Sequence, residues 1–200
     1  MKNIIFSLAL LLLGSTVYGQ WKAQTAVTYD KTFRIAYVTS KSGTETLRIL
    51  RNISAPAGEK GTTPYDLLMG QILLNKNLGD GNSVQSLVFR FDDSPKFYIH
   101  QPANFTQKWE NNISKYMIES DWQTWRIGDT RNKERKIITD PESVPANERV
   151  STKVIIDLLK SSQKVSCQIL LLNRAYDTQS TINCEFTLQN STKSIAYLFQ

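Results

Sequence analysis

The chain has 200 residues, with 24 Lys and Arg against 18 Asp and Glu (net +6), 40% hydrophobic residues and two cysteines. That length suits one domain with a real core and is short for two. The modest basic excess fits an anionic surface or a glycan as partner, solubility alone explains it equally well, and nothing in it asks for nucleic acid.

Lys2, the apolar run Ile4 to Leu13 and the small-residue stretch Gly14 to Gly19 read as a signal peptide. Val17 and Gly19 stand at the −3 and −1 positions of a cleavage site, so residues 1–19 are expected to be removed. The apolar run falls short of the ~20 residues that cross a bilayer, and no later run approaches that length. A soluble secreted or periplasmic domain over 20–200 is the expectation.

Trp21 to Asp30 is short and mixed, an edge strand at most. Strands at about 32–39 and 45–52 flank the turn Lys41-Ser42-Gly43. Pro56, Gly58, Gly61 and Pro64 mark a loop, and Leu67 to Leu74 a buried strand or short helix. From Ser83 to His100, Leu87, Phe89 and Phe91 alternate with Val88, Arg90 and Asp92, the period of a strand with one apolar face. Asp92-Asp93-Ser94-Pro95 is turn chemistry, and pairing Phe91 with Phe97 and Phe89 with Ile99 gives a hairpin with a five-residue loop.

The segment from Gln101 to Asn147 is expected to be long and irregular, apart from a strand at Trp122 to Ile127. Beyond it, Ser151 N-caps a helix with Val150 and Ile155 as a hydrophobic staple. Val154, Ile155, Leu158 and Leu159 form its apolar stripe. Val165, Cys167, Ile169 then pair with Phe186, Cys184, Ile182, because a one-residue slip would turn polar residues inward. Cys167 opposite Cys184 favours a structural disulfide over a metal site, which two cysteines cannot complete, or a catalytic thiol. Ser191 to Phe199 closes the chain as a short helix or a final strand. The fold expected is α+β and β-rich: an antiparallel sandwich of hairpins with one or two packed helices.

Candidate chemistry is sparse. His100 lacks local partners for catalysis or metal binding, and no metal site or cofactor is expected. Ser161 to Lys164 matches SxxK, but it lies at a helix end and follows the KSG element it should precede. Trp109, Tyr116, Trp122 and Trp125 lie among Asn, Gln and Ser, the composition of a surface that stacks on sugar rings or a protein partner. Arg131, Lys133, Arg135 and Lys136 add charges suited to phosphate or sulfate, and large aromatics covering a sheet are the plain alternative. Sequons occur at Asn52, Asn104, Asn112 and Asn190.

Val88-Phe89-Arg90-Phe91-Asp92 with Pro95, followed by the helix Ser151 to Lys160, a strand pair and Ser194-Ile195-Ala196, resembles small exported bacterial β-sandwich proteins. These are the invasion-associated locus B and type VI secretion-associated accessory families. The resemblance implies an exported sandwich without a catalytic site. The expected function is therefore non-catalytic, through surface contacts with a protein or glycan. A carbohydrate-binding module is the alternative, and a hydrolase drawing on Asp92, Asp93, His100 and Glu119 a second.

Overall fold

The computed structural model describes residues 19–54, 63–75, 78, 81–99, 104–110, 113–122, 124–127 and 146–200. The expected leader, His100 and the run from Arg131 to Lys136 lie outside them. In chain order the strands are β1 (Lys22–Val27), β2 (Thr32–Thr39), β3 (Glu45–Asn52), β4 (Leu68–Leu74), β5 (Asn82–Phe91) and β6 (Lys96–Ile99). They continue with β7 (Asn104–Glu110), β8 (Ile113–Asp121), β9 (Thr124–Ile127), β10 (Arg149–Ser151), β11 (Lys164–Asn173) and β12 (Thr178–Thr187). Helix α1 (Thr152–Ser161) lies between β10 and β11, and α2 (Ser191–Tyr197) follows β12.

Two six-stranded antiparallel sheets result, in the orders β1-β2-β3-β4-β8-β7 and β10-β9-β6-β5-β11-β12. Strand periodicity sends alternate side chains to opposite faces, and the apolar set of each sheet meets that of the other. The first contributes Ala36, Val38, Leu47, Ile49, Ile72, Leu74 and Ile118, all at most 2% exposed. The second contributes Leu87, Phe89, Phe91, Val165, Ile169, Leu171 and Phe186, equally buried. This is the β-rich sandwich that the alternation specified.

The β5–β6 hairpin forms, but with four residues between its strands and not in its expected register. Phe89, not Phe91, faces Phe97. Phe91 is instead drawn into the turn, where its N–H meets Ser94 Oγ at 3.1 Å and its carbonyl accepts from Ser94 N at 2.8 Å. The shift of two residues leaves every side chain on its face, so burial cannot discriminate between the two registers.

The described residues between Gln101 and Asn147 include the strand expected at Trp122 to Ile127, as Thr124–Ile127, and two more that the composition of this segment did not suggest. β7, β8 and β9 all fall inside it; β8 inserts its backbone beside β4, and β9 joins β6 to β10. The inward row of β8 mixes Tyr116 and Ile118 with Ser120, and that polar member hid the period.

Helix α1 starts where its sequence predicted, but its buried stripe is Thr152, Ile155, Ile156 and Leu159, with Val154 44% exposed. Thr152 sets the rotation, because its hydroxyl donates to the carbonyl of Trp122. The expected staple residues, Val150 and Ile155, are both buried. Ser191 Oγ donates to Leu159 O at 2.6 Å and ties α2 to α1.

Cys167 faces Cys184, with Val165 opposite Phe186 and Ile169 opposite Ile182, the register expected. No disulfide joins them, which corrects the expected bond. Leu188 N donates to Gln163 O at 2.7 Å, and Asp92 N to Lys164 O at 3.2 Å. Alternation from either bond makes Cys167/Cys184 a hydrogen-bonded pair, whose Cα atoms lie about 5.5 Å apart with side chains less close than at the alternate sites. A disulfide wants Cβ atoms about 3.8 Å apart, so the ladder opposes it. The two cysteines act as small apolar core residues, 1% and 4% exposed.

Candidate functional site

The aromatic surface expected from the sequence is largely core. Tyr116 and Trp122 are 1% exposed and Trp125 is fully buried, so none presents a ring face to a ligand. Trp122 and Trp125 meet edge to face at 5.1 Å, and Phe89 lies 6.1 and 5.2 Å from them. The indole of Trp122 crosses Gly70 of β4, where a Cβ would lie 1.9 Å from Nε1. Aromatic size, not polarity of neighbours, decided their place: rings this large contribute most to the core when buried. Trp109 sits on β7 opposite Ser114.

The carboxylates proposed for a hydrolase do not converge. Asp92, with φ at +43°, accepts from Gln163 N at 2.9 Å and Lys164 N at 3.0 Å, so its charge closes the junction of α1 and β11. Glu119 lies on the other sheet, where Gln71 Nε2 donates to it at 2.6 Å. Ser161 Oγ back-bonds to Asp157 O at 2.8 Å, a helix-end contact that leaves SxxK without chemistry. Among the described residues no group of His, Cys, Asp and Glu is arranged to hold a metal.

One of the four edge strands, β12, has a long outer edge with an unmet requirement. The alternation that places Cys184 toward β11 points the backbone of Gln179, Thr181, Asn183, Glu185 and Thr187 away from it. Trp21 Nε1 donates to Thr187 O at 2.8 Å and covers the end of the row. From Gln179 to Glu185 no described strand or backbone group meets the edge. Natural edges are usually blunted by Lys, Pro or a bulge, whereas β12 runs ten residues with one charge, Glu185, and no Pro or bulge.

Alongside the C-terminal half of this edge runs a groove of about 720 Å3. Asn183, Glu185 and Thr187 form one wall, and the β2–β3 turn from Ser40 to Glu45 forms the other. That turn is rigid: Glu45, 6% exposed, accepts from Ser40 Oγ and Ser42 Oγ at 2.8 Å each, and Ser42 Oγ lies 2.8 Å from Thr44 Oγ1. Lys41 stands exposed on this wall and makes no ion pair among the described residues. Lys164 across the groove is held by Glu185 at 3.2 Å. Cys184 lines the groove, and burial pushes the thiol of its register partner Cys167 well up, with Cys184 adding to it, so Cys167 is no nucleophile at neutral pH.

Sequence reasoning located the KSG turn and β12 without seeing that they face each other. The signal was present, in a ten-residue polar strand with one charge at the end of its sheet.

These features define a two-layer antiparallel β-sandwich with helices packed on each other and a slot beside one long edge. No family model, curated protein or solved structure matches the chain. No described helix is long and apolar enough to cross a membrane.

Proposed function

We propose that this is a non-catalytic, exported β-sandwich protein that works by binding, and that it binds an extended segment of a protein partner along β12. The observation that carries this reading is the row of outward backbone groups from Gln179 to Glu185 beside a walled groove. Strand addition uses such groups for affinity and flanking pockets for specificity. The turn from Ser40 to Glu45 lines the same groove and supplies contacts for side chains of the added segment. Lys41 asks for an acidic side chain on the incoming segment. Export rests on the leader-like first 19 residues, and the resemblance to exported sandwich families supports the same role. The sugar-binding alternative drew on exposed rings, and three of its four rings lie in the core.

Panning of random 12-residue peptides against the mature protein tests this. Selected peptides should carry β-branched residues with at least one acid. Asn183→Pro, which blocks an outward N–H and leaves the β11 ladder intact, should weaken them at least tenfold, or about 1.4 kcal/mol. Lys41→Glu should favour basic peptides instead. Peptides that bind both variants as well as the parent, or a library that yields none, would overturn the proposal.

A further inference from the structure

A second site, which does not use the β12 edge, lies toward the ends of β2 and β3 opposite the Ser40 to Glu45 turn. Arg34 of β2 and Arg51 of β3 are register partners, directly opposite on antiparallel strands. They share the face of Ala36 and Ile49, both fully buried, near the end of the first sheet's inward row. Like charges placed directly opposite destabilise a strand pair, so the arrangement needs a compensating interaction.

The neighbours supply only part of it. Arg51 Nη1 donates to Leu198 O at 2.9 Å, a favourable contact at a helix C-terminus. Its Nε is buried with no acceptor. Burial and the charge of Arg34 both lower the proton affinity of Arg51. Arg34 stacks over the ring of Tyr197 at 5.7 Å and makes no hydrogen bond or ion pair among the described residues. Thr25, its partner on β1, holds that ring in place through a 2.5 Å contact to the Tyr197 hydroxyl. Lys160, at the end of α1, brings a third cation to the cluster. It and Arg51 both approach Phe199, at 5.7 and 5.8 Å from the ring centre. Lys160 also has no ion pair among the described residues, and all three cations are partly exposed.

Three cations on aromatic supports, with guanidinium donors unmet and no carboxylate paired to them among the described residues, form a cradle for a multiply charged oxyanion. We infer that Arg34, Arg51 and Lys160 bind a phosphate or sulfate group, either as the free ion or as an ester on a sugar. Arg34 and Arg51 supply planar forks, and Lys160 supplies a mobile point charge. The aromatic rings hold the cations without neutralising them.

Thermal unfolding and calorimetry with potassium sulfate, potassium phosphate, glucose 6-sulfate and glucose 6-phosphate test the site, with potassium chloride at equal ionic strength as reference. The divalent anions should raise Tm beyond chloride. Arg34→Gln and Lys160→Gln should each weaken binding about tenfold, and the double variant should abolish it. Without anion, Arg34→Gln should be at least as stable as the parent, because a like-charge contact is gone; this separates ligand binding from a structural role. Tighter binding of the esters than of the free ions identifies a sugar-borne ligand, and equal binding identifies the ion itself. Equal stabilisation of the parent and the double variant, or no effect beyond chloride, overturns the inference.

Discussion

Gly70→Ala should be among the most damaging single-methyl changes in the protein. The added Cβ would lie 1.9, 2.2 and 2.6 Å from Nε1, Cε2 and Cζ2 of Trp122, whereas non-bonded carbons rest about 3.5–4.0 Å apart. The indole must therefore retreat by roughly 1.5 Å. It has nowhere to go, being 1% exposed and set against Trp125 and Phe89. Overpacking of this kind costs about 1–3 kcal/mol, and losing the 3.2 Å contact of Nε1 to Ser120 Oγ adds about 1. Relief of glycine's backbone entropy in a strand returns about 0.5–1. The net is about 2 kcal/mol, a fall in Tm of roughly 4–8 °C for a domain of this size. Differential scanning calorimetry reads it directly. Trp122→Phe should lower stability alone and yet recover part of the loss when combined with Gly70→Ala, since the smaller ring vacates the clash. An unchanged Tm for Gly70→Ala, or strict additivity of the pair, would show that the indole does not lie on Gly70.

Asp92→Ala strips the acceptor from the N–H groups of Gln163 and Lys164 and should cost about 1–3 kcal/mol in urea unfolding. Asp92→Asn should cost less, because Asn tolerates the positive φ and keeps one acceptor oxygen. Glu148→Ala strands the guanidinium of Arg126, whose side chain is 7% exposed, and should cost about 3 kcal/mol by the same assay. That is the low end for breaking a buried pair, since Glu148 is 21% exposed. Native protein should react with a thiol reagent only on unfolding, and its mass should not change with reductant. Because the Cys167 thiol is raised in the fold, stability is complete below the unfolded-state pKa of about 8.5 and falls as pH rises above it. The unfolded chain then releases a proton that the native state retains. Tyr98, raised by burial, extends the decline above about pH 10.

Period-two alternation made most of the sandwich legible. β3 and the β11–β12 register follow from it, because each slip would have buried a charged or amide side chain. β2 does not, since Phe33, Ile35 and Tyr37 alternate on it while Ala36 and Val38 face the core on the row that carries Arg34. The β5–β6 register was not legible, since two alignments buried the same four apolar residues and only the Ser94 turn contacts chose between them. β7 and β8 were hidden by Ser120 and by the polar content around them, and Trp122 and Trp125 by composition read without burial. The cysteine pairing was legible, but whether the pair is hydrogen-bonded in the ladder depends on the phase set by Gln163 and Leu188. The groove and the arginine pair were invisible for a different reason. Lys41 meets β12, Arg34 meets Tyr197, and Arg51 and Lys160 meet Phe199, across distances in sequence that no local pattern spans.

Amide hydrogen exchange along β12 tests strand addition most directly. The open edge predicts fast exchange at Gln179, Thr181, Asn183 and Glu185, and slow exchange at Ile182 and Cys184, whose N–H groups face β11. A peptide selected by panning should slow the first group and leave the second unchanged. Uniform protection from Gln179 to Glu185 in the unbound protein, or peptide protection that avoids this row, would contradict the account.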